Sequence, residues 1–515
     1  MSRNPLSNLL KTALSDAVAD DKEWKQTYSH WKQSRRKFIR DMSVAAGSLT
    51  LLPSFLTQSK AAPEIVIVGA GMAGLNAAYQ FNKKGIRASV YEASARAGGR
   101  MYTLKDQFGA GITTDIGGEF VDTTHTDILQ LMKEFNLEMY DLREDKLSPK
   151  TFYFRGMPLS QSDLRTAIAP YAKQIMLDVL SLPPLIDHTT AASFKHFDEM
   201  SITEYLNSKG IEGWLYPFLD VVLTREYGTE ASEQSAINFL IMFVPPLETE
   251  ADYQLFGPTH EVFKIKGGSQ HLTDSIYGTL NDQVYFNQRL TNLRQLDSGK
   301  YELRFAQEKE EKLVLADYVL MTIPFSILRN ISFPVPMPSE KRKCIDEMGY
   351  GNSCKFVIGV NQKPWRIANQ QGYTFTDLTI GAGWDSSQMQ NPYRGSFTVF
   401  GGGKQGDYVN ENKETVLVEK FSSELNVIYP ALENILTGKN MKFCWAGYPF
   451  AKGGYSAFKK GQWSTLSGWE GVPVGKIFFA GEHVSREFQG YMNGAAETSR
   501  LAVDAMISRM NQTSN

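Results

Sequence analysis

The run Glu64-Ile65-Val66-Ile67-Val68, followed at once by Gly69-Ala70-Gly71-Met72-Ala73-Gly74, constrains the fold more than any other segment. A short β-branched run without polar alternation reads as a strand buried on both faces, the signature of a parallel sheet. Leu75 to Lys84 then reads as a helix closed by Gly85, and Ala88-Ser89-Val90-Tyr91-Glu92 reads as a second strand ending in an acid. In such a unit Gly69 makes the tight turn, Gly71 lets a pyrophosphate approach the backbone, and Gly74 lets helix and strand pack closely. The helix N-terminus offers free N–H groups and a positive dipole end to phosphates. Glu92 can accept hydrogen bonds from ribose hydroxyls, which favours a ribose without a 2′-phosphate. The expectation is an α/β chain with a dinucleotide site near its start.

The 515 residues allow about three domain-sized units, and 42% hydrophobic composition supplies core material for them. The first 61 residues hold ten basic and five acidic side chains, so the net charge of −2 conceals an acidic body. An acidic body without a basic run argues against nucleic acid as a partner. Ser34-Arg35-Arg36-Lys37-Phe38-Ile39-Arg40 precedes a mostly apolar, small-residue stretch from Met42 to Leu56, and Ser59-Lys60-Ala61 follows. This is the layout of a signal: basic region, modest apolar region, cleavage site. Gly47 and Pro53 interrupt the apolar stretch, which is too short to span a bilayer comfortably. The arginine pair resembles a twin-arginine signal, which implies the export machinery of that pathway and a periplasmic destination. Membrane association follows only if the leader is retained. The 33 residues before the motif are an unexplained extension. Cys344, Cys354 and Cys444 are expected to make neither a disulfide framework nor a zinc ladder.

From about 150 to 260 the chain mixes helical stretches with Pro183-Pro184 and Pro245-Pro246. Val284 to Phe286, Tyr301 to Phe305, Val314 to Met321 and Lys355 to Val360 read as strands. Lys476 to Gly481 is a strand ending in glycine, and a helix from about Met492 to Met510 closes the chain. Nucleotide-type segments thus sit at both ends. The expected division is a leader over 1–61, cofactor-binding parts over 62–150, 266–335 and 451–510, and substrate-domain parts over 151–265 and 336–450.

Arg96-Ala97-Gly98-Gly99-Arg100 follows the second strand, a second phosphate-facing loop beyond what NAD needs, in which Arg100 can reach a phosphate. Further motifs are Gly117-Gly118-Glu119-Phe120, Lys266-Gly267-Gly268 with Leu272, Val319 to Pro324, Phe479-Ala480-Gly481-Glu482 and Gly490-Tyr491-Met492-Asn493-Gly494-Ala495. In this order they resemble the flavin monoamine oxidase family of amine oxidases, L-amino-acid oxidases and bacterial nicotine oxidoreductases, across nearly all of residues 64 to 510. The resemblance implies a Rossmann-like FAD-binding domain built from non-contiguous segments, with an α+β substrate-binding domain. It implies FAD held by Gly69, Gly71, Met72, Ala73, Gly74, Glu92, Ala93, Gly98, Gly99, Arg100, Gly117, Gly118, Glu119, Phe120, Glu482, Tyr491 and Met492. It places a backbone group of Leu290 at the adenine, Trp445 beside the isoalloxazine, and the last helix N-terminus at a flavin edge that becomes anionic on reduction.

Lys355 sits in the apolar strand Cys354 to Ile358, where a buried ammonium is costly. Taken alone it reads as an edge-strand lysine snorkelling to water. The resemblance instead matches it to the lysine that holds a water against flavin N5. It likewise matches Tyr455 and Tyr491 to an aromatic cage on the substrate side, where aromatic faces accept an amine and exclude water. Lys355, Tyr455 and Tyr491 are therefore the expected catalytic residues. Two departures stand out. Gly454 occupies the place of the flavin-linking cysteine of mitochondrial monoamine oxidases, so FAD is expected to be non-covalent. Phe120 occupies the place where many L-amino-acid oxidases carry a carboxylate-clamping arginine, so an amino acid needs another anchor, such as Arg225 or Arg394. Glu119 is open to two readings, attraction of a second positive charge on a diamine, polyamine or guanidino substrate, or a hydrogen bond to backbone near the flavin.

The seven histidines include no close metal-ligand pair, and no metal is expected. The expected activity is oxidation of an amine C–N bond to an imine that water hydrolyses, with O2 or another acceptor taking the electrons. An L-amino-acid oxidase or dehydrogenase for basic amino acids is the nearest alternative. A flavoprotein that binds partners without turnover is a more distant one. A homo-oligomer is compatible with the sequence.

Overall fold

In the computed structural model, residues 63–243, 262–307, 310–430 and 435–513 are described, with isolated positions 26, 29 and 33. The leader, with its arginine pair, lies outside the described residues. Ile65–Val68 is buried along its whole length and lies at the centre of a five-stranded sheet. Its neighbours are Ser89–Tyr91 and Tyr318–Met321, with Val284–Tyr285 and Ile477–Phe479 outside them, all parallel. The strands come from distant parts of the chain, as the two-ended distribution of nucleotide-type segments implies. The helix Met72–Lys83 packs on the closing helix Met492–Thr513. Asn76 Nδ2 fastens the two by donating to Ala496 O and to Ser499 Oγ, each at 2.9 Å.

Val314 to Met321 is not one strand. Glu310–Ala316 pairs antiparallel in a three-stranded sheet, while Tyr318–Met321 enters the parallel sheet. Asp317 makes the break, because its N–H donates to Glu64 O and its carboxylate accepts from Glu64 N.

A seven-stranded mixed sheet faces the cofactor side of the molecule. Its order is Leu436–Cys444, Cys354–Val360, Gly395–Gly401, Ala382–Asp385, Gln370–Thr376, Ser148–Phe154 and Met157–Leu159. Cys354–Val360 is buried at every position and hydrogen-bonded on both sides, so Lys355 is no edge-strand residue. The register places Cys354 opposite Cys444, and the two form a disulfide. This corrects the expectation that the three cysteines make no disulfide framework: facing strands bring together residues separated by 90 in sequence. Cys344 stays free and buried. No described helix is long and apolar enough to cross a membrane.

Candidate active site

One cavity runs from the glycine turn to the seven-stranded sheet. At its first end, Gly69, Gly71, Met72 and Ala73 meet Glu92, Gly98, Gly99 and Arg100. Gly69 adopts φ +105° and Gly99 φ +54°, conformations that favour glycine, and a Cβ on Gly99 would come 2.9 Å from Gly71 Cα. The two loops are laced together by Gly98 N donating to Ala70 O. Gly74 lies one layer behind the lining, where a side chain would run into the Gly69 carbonyl. Its glycine serves the helix–strand contact, as its place in the motif suggests. The Glu92 carboxylate accepts from Ala70 N at 2.7 Å and Ser94 N at 2.8 Å, which aims it from the strand end into the cavity.

Arg100 and Glu482 come together in the middle, 2.7 Å apart. Glu482 also accepts from Ser456 Oγ and Gly490 N, and Arg100 donates to Gly454 O. Burial raises the Glu482 carboxyl, but Arg100 and these donors outweigh it and bring it down to about 2. Gly117, Gly118, Tyr491 and Met492 complete this part, with the closing helix starting at Met492. Its N-terminal end can therefore serve an anionic group. A side chain on Gly118 would fall 2.9 Å from Met492 Cγ, so the floor is kept flat by the absence of one. Ala93 and Leu290 are not on the cavity lining, and Leu290 is buried in the strand Arg289–Gln295.

At the far end, Lys355 and Glu119 share a buried ion cluster. Lys355 Nζ donates to Glu119 Oε2 at 2.8 Å, to Asp115 O at 2.8 Å and to Gly117 O at 3.0 Å. These three acceptors match the three N–H bonds of an ammonium. Lys264 donates to Glu119 Oε1 at 2.7 Å, and Trp384 Nε1 donates to the same carboxylate. Burial pushes the Glu119 carboxyl up, but the two lysines reverse the sign and hold it below its ordinary range. Asp115, held by Thr103 and Ser269, is raised to about 6 by burial and by Glu119. Of the two readings of Glu119, attraction of a second substrate cation is the one the structure does not favour: two lysines already neutralise it.

Tyr455 and Tyr491 both line the cavity, with Trp445. The Tyr455 hydroxyl donates to Arg225 O at 2.9 Å, the Tyr491 ring meets His125 edge-on at 4.8 Å, and Trp445 Nε1 donates to Ile116 O at 3.0 Å. Phe120, Tyr373 and Trp384 form an aromatic wall, Tyr373 stacking on Trp384 with centroids 5.5 Å apart. Sequence reasoning missed Tyr373, Trp384 and Lys264. The available signal for Lys264 was a lysine between Phe263 and Ile265, the same oddity that singled out Lys355. Arg394 is exposed, whereas Arg225 is buried and lines the cavity.

The glycine cradle, the Glu92 terminus and the helix N-terminus fit an extended dinucleotide lying along the cavity. Neither cysteine of the disulfide, nor Cys344, belongs to the lining, which agrees with a cofactor held without a thioether. The described residues contain no group of acidic, histidine and cysteine side chains able to hold a metal.

The model for flavin containing amine oxidoreductases matches residues 72–507. The chain is 25% identical over 483 residues to an L-amino-acid oxidase of Crotalus adamanteus, covering 88% of this chain and 89% of that one. It is 25% identical over 464 residues to the flavin-containing amine oxidase B of Cavia porcellus, covering 86% of each. Among solved structures, putrescine oxidase bound to putrescine matches with a TM-score of 0.74 at 18% identity, over 87% of this chain and 100% of that one. Cyclohexylamine oxidase from Brevibacterium oxydans matches with a TM-score of 0.76 at 19% identity, over 88% and 100%. The shared fold is a Rossmann-like FAD-binding domain with a substrate-binding domain.

Proposed function

The chain belongs to the flavin-containing amine oxidoreductases, enzymes whose cofactor here is FAD, and from that premise we propose that it oxidises the C–N bond of a primary or secondary amine to an imine. The observation that carries the reading is the single cavity joining the glycine cradle to Lys355, Tyr455 and Tyr491. Bound FAD supplies the acceptor for the hydride leaving the carbon next to nitrogen. Tyr455, Tyr491 and the Phe120–Tyr373–Trp384 wall exclude water, and that desolvation favours the neutral amine, whose lone pair assists loss of hydride. Lys355 holds a water at the cavity wall by exchanging the Gly117 carbonyl, the longest of its three contacts, for it. Water then hydrolyses the released imine to a carbonyl compound and ammonia or a smaller amine. Electrons pass to O2, giving hydrogen peroxide, or to another acceptor.

The neutralised Glu119 weighs against polyamines. An amino acid is the second reading, supported by the likeness to an L-amino-acid oxidase and by Arg225. Two observations support a periplasmic enzyme exported with FAD in place: the twin-arginine-like leader, and a Cys354–Cys444 bond of the kind that persists in oxidising compartments. Sizing the exported protein by mass spectrometry checks loss of residues 1–61. The activity is tested by mixing the flavin-loaded protein anaerobically with a panel of amines and amino acids, following the flavin absorbance, and then admitting air. Bleaching and recovery are expected. A flavin that no member of the panel bleaches supports the alternative of a binding partner without turnover.

A further inference from the structure

Cys354 is the first residue of its strand and Cys444 the last of the neighbouring one, so the disulfide closes the ladder at that end. Past it the pairing continues with Trp445 N donating to Ser353 O at 3.0 Å. The residues next to the two cysteines, Lys355 and Trp445, both line the cavity.

Lys355 and Trp445 reach the same stretch of backbone. Lys355 Nζ donates to Asp115 O and to Gly117 O, and Trp445 Nε1 donates to Ile116 O between them. Consecutive carbonyls of one segment are thus held by two side chains from two strands. The N–H groups of that segment point the other way: Ile116 N and Gly117 N donate to Tyr102 O, and Gly118 N donates to Arg100 O. Buried backbone outside regular structure needs such partners, and here the carbonyl side depends on Lys355 and Trp445 standing next to each other. Ile116, Gly117 and Gly118 line the cavity where the cofactor would lie. With the Gly117 contact given over to a water, Asp115 O and Ile116 O still hold the segment.

Without the sulfur bond this arrangement would fray. Leu436–Cys444 is the edge strand of the large sheet and is not buried at any position, and strand ends at an edge open first. The two cysteines differ in access. Cys354 is 1% exposed, whereas Cys444 is partly exposed and is followed by exposed Ala446 and Gly447. An incoming thiolate therefore meets Cys444 Sγ first. Cys354 is the leaving sulfur, and acceptors for its thiol are already in place: Gly406 O lies 3.2 Å and Asn352 O 3.5 Å from Cys354 Sγ.

We propose that the Cys354–Cys444 bond is a site of thiol–disulfide exchange with dithiols, and that the closed bond locks FAD in its cradle through Lys355 and Trp445. In the opening step one thiolate of the dithiol bonds to Cys444 Sγ, the bond between the two protein sulfurs breaks, and Cys354 takes up a proton. The second thiol of the dithiol then displaces Cys444, which also takes up a proton. The dithiol ends as a cyclic disulfide, and the electron pair it loses reduces the two cysteines. Both cysteines are positioning residues, since neither lines the cavity. The proposal rests on FAD binding and is independent of the substrate.

The test uses the flavin-loaded enzyme without substrate, with dithiothreitol as the probe. Peptide mapping by mass spectrometry follows the bond, and the growth of free-flavin fluorescence after dilution follows release. Opening the bond is expected to speed release by about fivefold or more with the far-UV circular dichroism unchanged. Removing dithiothreitol and adding oxidised glutathione should restore slow release. The double variant Cys354→Ala, Cys444→Ala should release flavin fast from the start and ignore dithiothreitol, whereas Cys344→Ser should respond as the unaltered enzyme does. Trp445→Phe separates a lock from general stabilisation. One arm of the hold on the segment is then already missing, so the effect of opening the bond should shrink by about half or more. The proposal is overturned if dithiothreitol leaves the bond intact in the folded enzyme, or if opening speeds release by less than about fivefold. It is equally overturned if opening costs the far-UV signal, or if the effect persists undiminished in Trp445→Phe.

Discussion

Lys355 Nζ stands 2.8 Å from one oxygen of Glu119, and Lys264 Nζ stands 2.7 Å from the other. Trp384 closes the carboxylate from a third side. One acid therefore fixes the position of the amine that the proposed chemistry needs and, through Lys264 N–H bonding to Ser386 O, ties the cavity wall to the large sheet.

Replacing Lys355 by Met leaves Glu119 paired with Lys264, so a folded yellow protein is expected. The proposed water-holding function would be lost, and turnover or flavin reoxidation should slow by roughly tenfold or more. Stopped-flow traces decide it, and unchanged rates would leave Lys355 a purely structural cation.

Replacing Glu119 by Gln acts on stability instead. Two ammonium groups then stay buried without their shared carboxylate, at a cost of about 3–5 kcal/mol. Urea unfolding followed by tryptophan fluorescence should show it. A loss below about 1 kcal/mol, the scale of an exposed pair, would mean that water reaches the cluster.

Gly74→Ala tests the cradle without touching the cavity lining. The new methyl group collides with the Gly69 carbonyl and forces the first turn of the helix away from the strand. Flavin retention should fall at least tenfold, read as the flavin-to-protein ratio after dialysis. Full retention would show that the turn can shift at no cost to binding.

His483 should make the fold acid-sensitive. Burial drives its imidazole down to about 3, and Glu482 pulls the other way without reversing the sign. The folded value lies below the unfolded one of 6.5, so the contribution is complete above pH 6.5 and is lost progressively as pH falls towards 3. By pH 4 the loss is on the order of 3 kcal/mol. Urea midpoints between pH 7 and pH 4 should therefore fall less steeply in His483→Gln.

Legibility in the sequence followed distance along the chain. The glycine turn, Glu92 and the Arg96–Arg100 loop were readable because neighbouring residues set the local backbone. Lys355 was readable as an oddity, a charge in an apolar strand. Lys264 shows the same oddity, but its pairing with Glu119 was not readable, because the two meet only where the strand Phe120–Val121 pairs with Phe263–Ile265. The Cys354–Cys444 bond depended on a register between strands that no local pattern specifies. Asp317 divided two strands by a bond to Glu64, on the far side of the sequence.

The same disulfide closes the chain into a ring that contains five of the seven strands of the large sheet. Its edge at Leu436–Cys444 is thereby locked to the neighbouring strand, whereas Ser148–Leu159 lies outside the ring at the opposite edge. At the Cys444 end that edge strand therefore stays beside the strand of Lys355 even when the hydrogen bonds between them open, whereas the opposite edge has no such tie among the described residues.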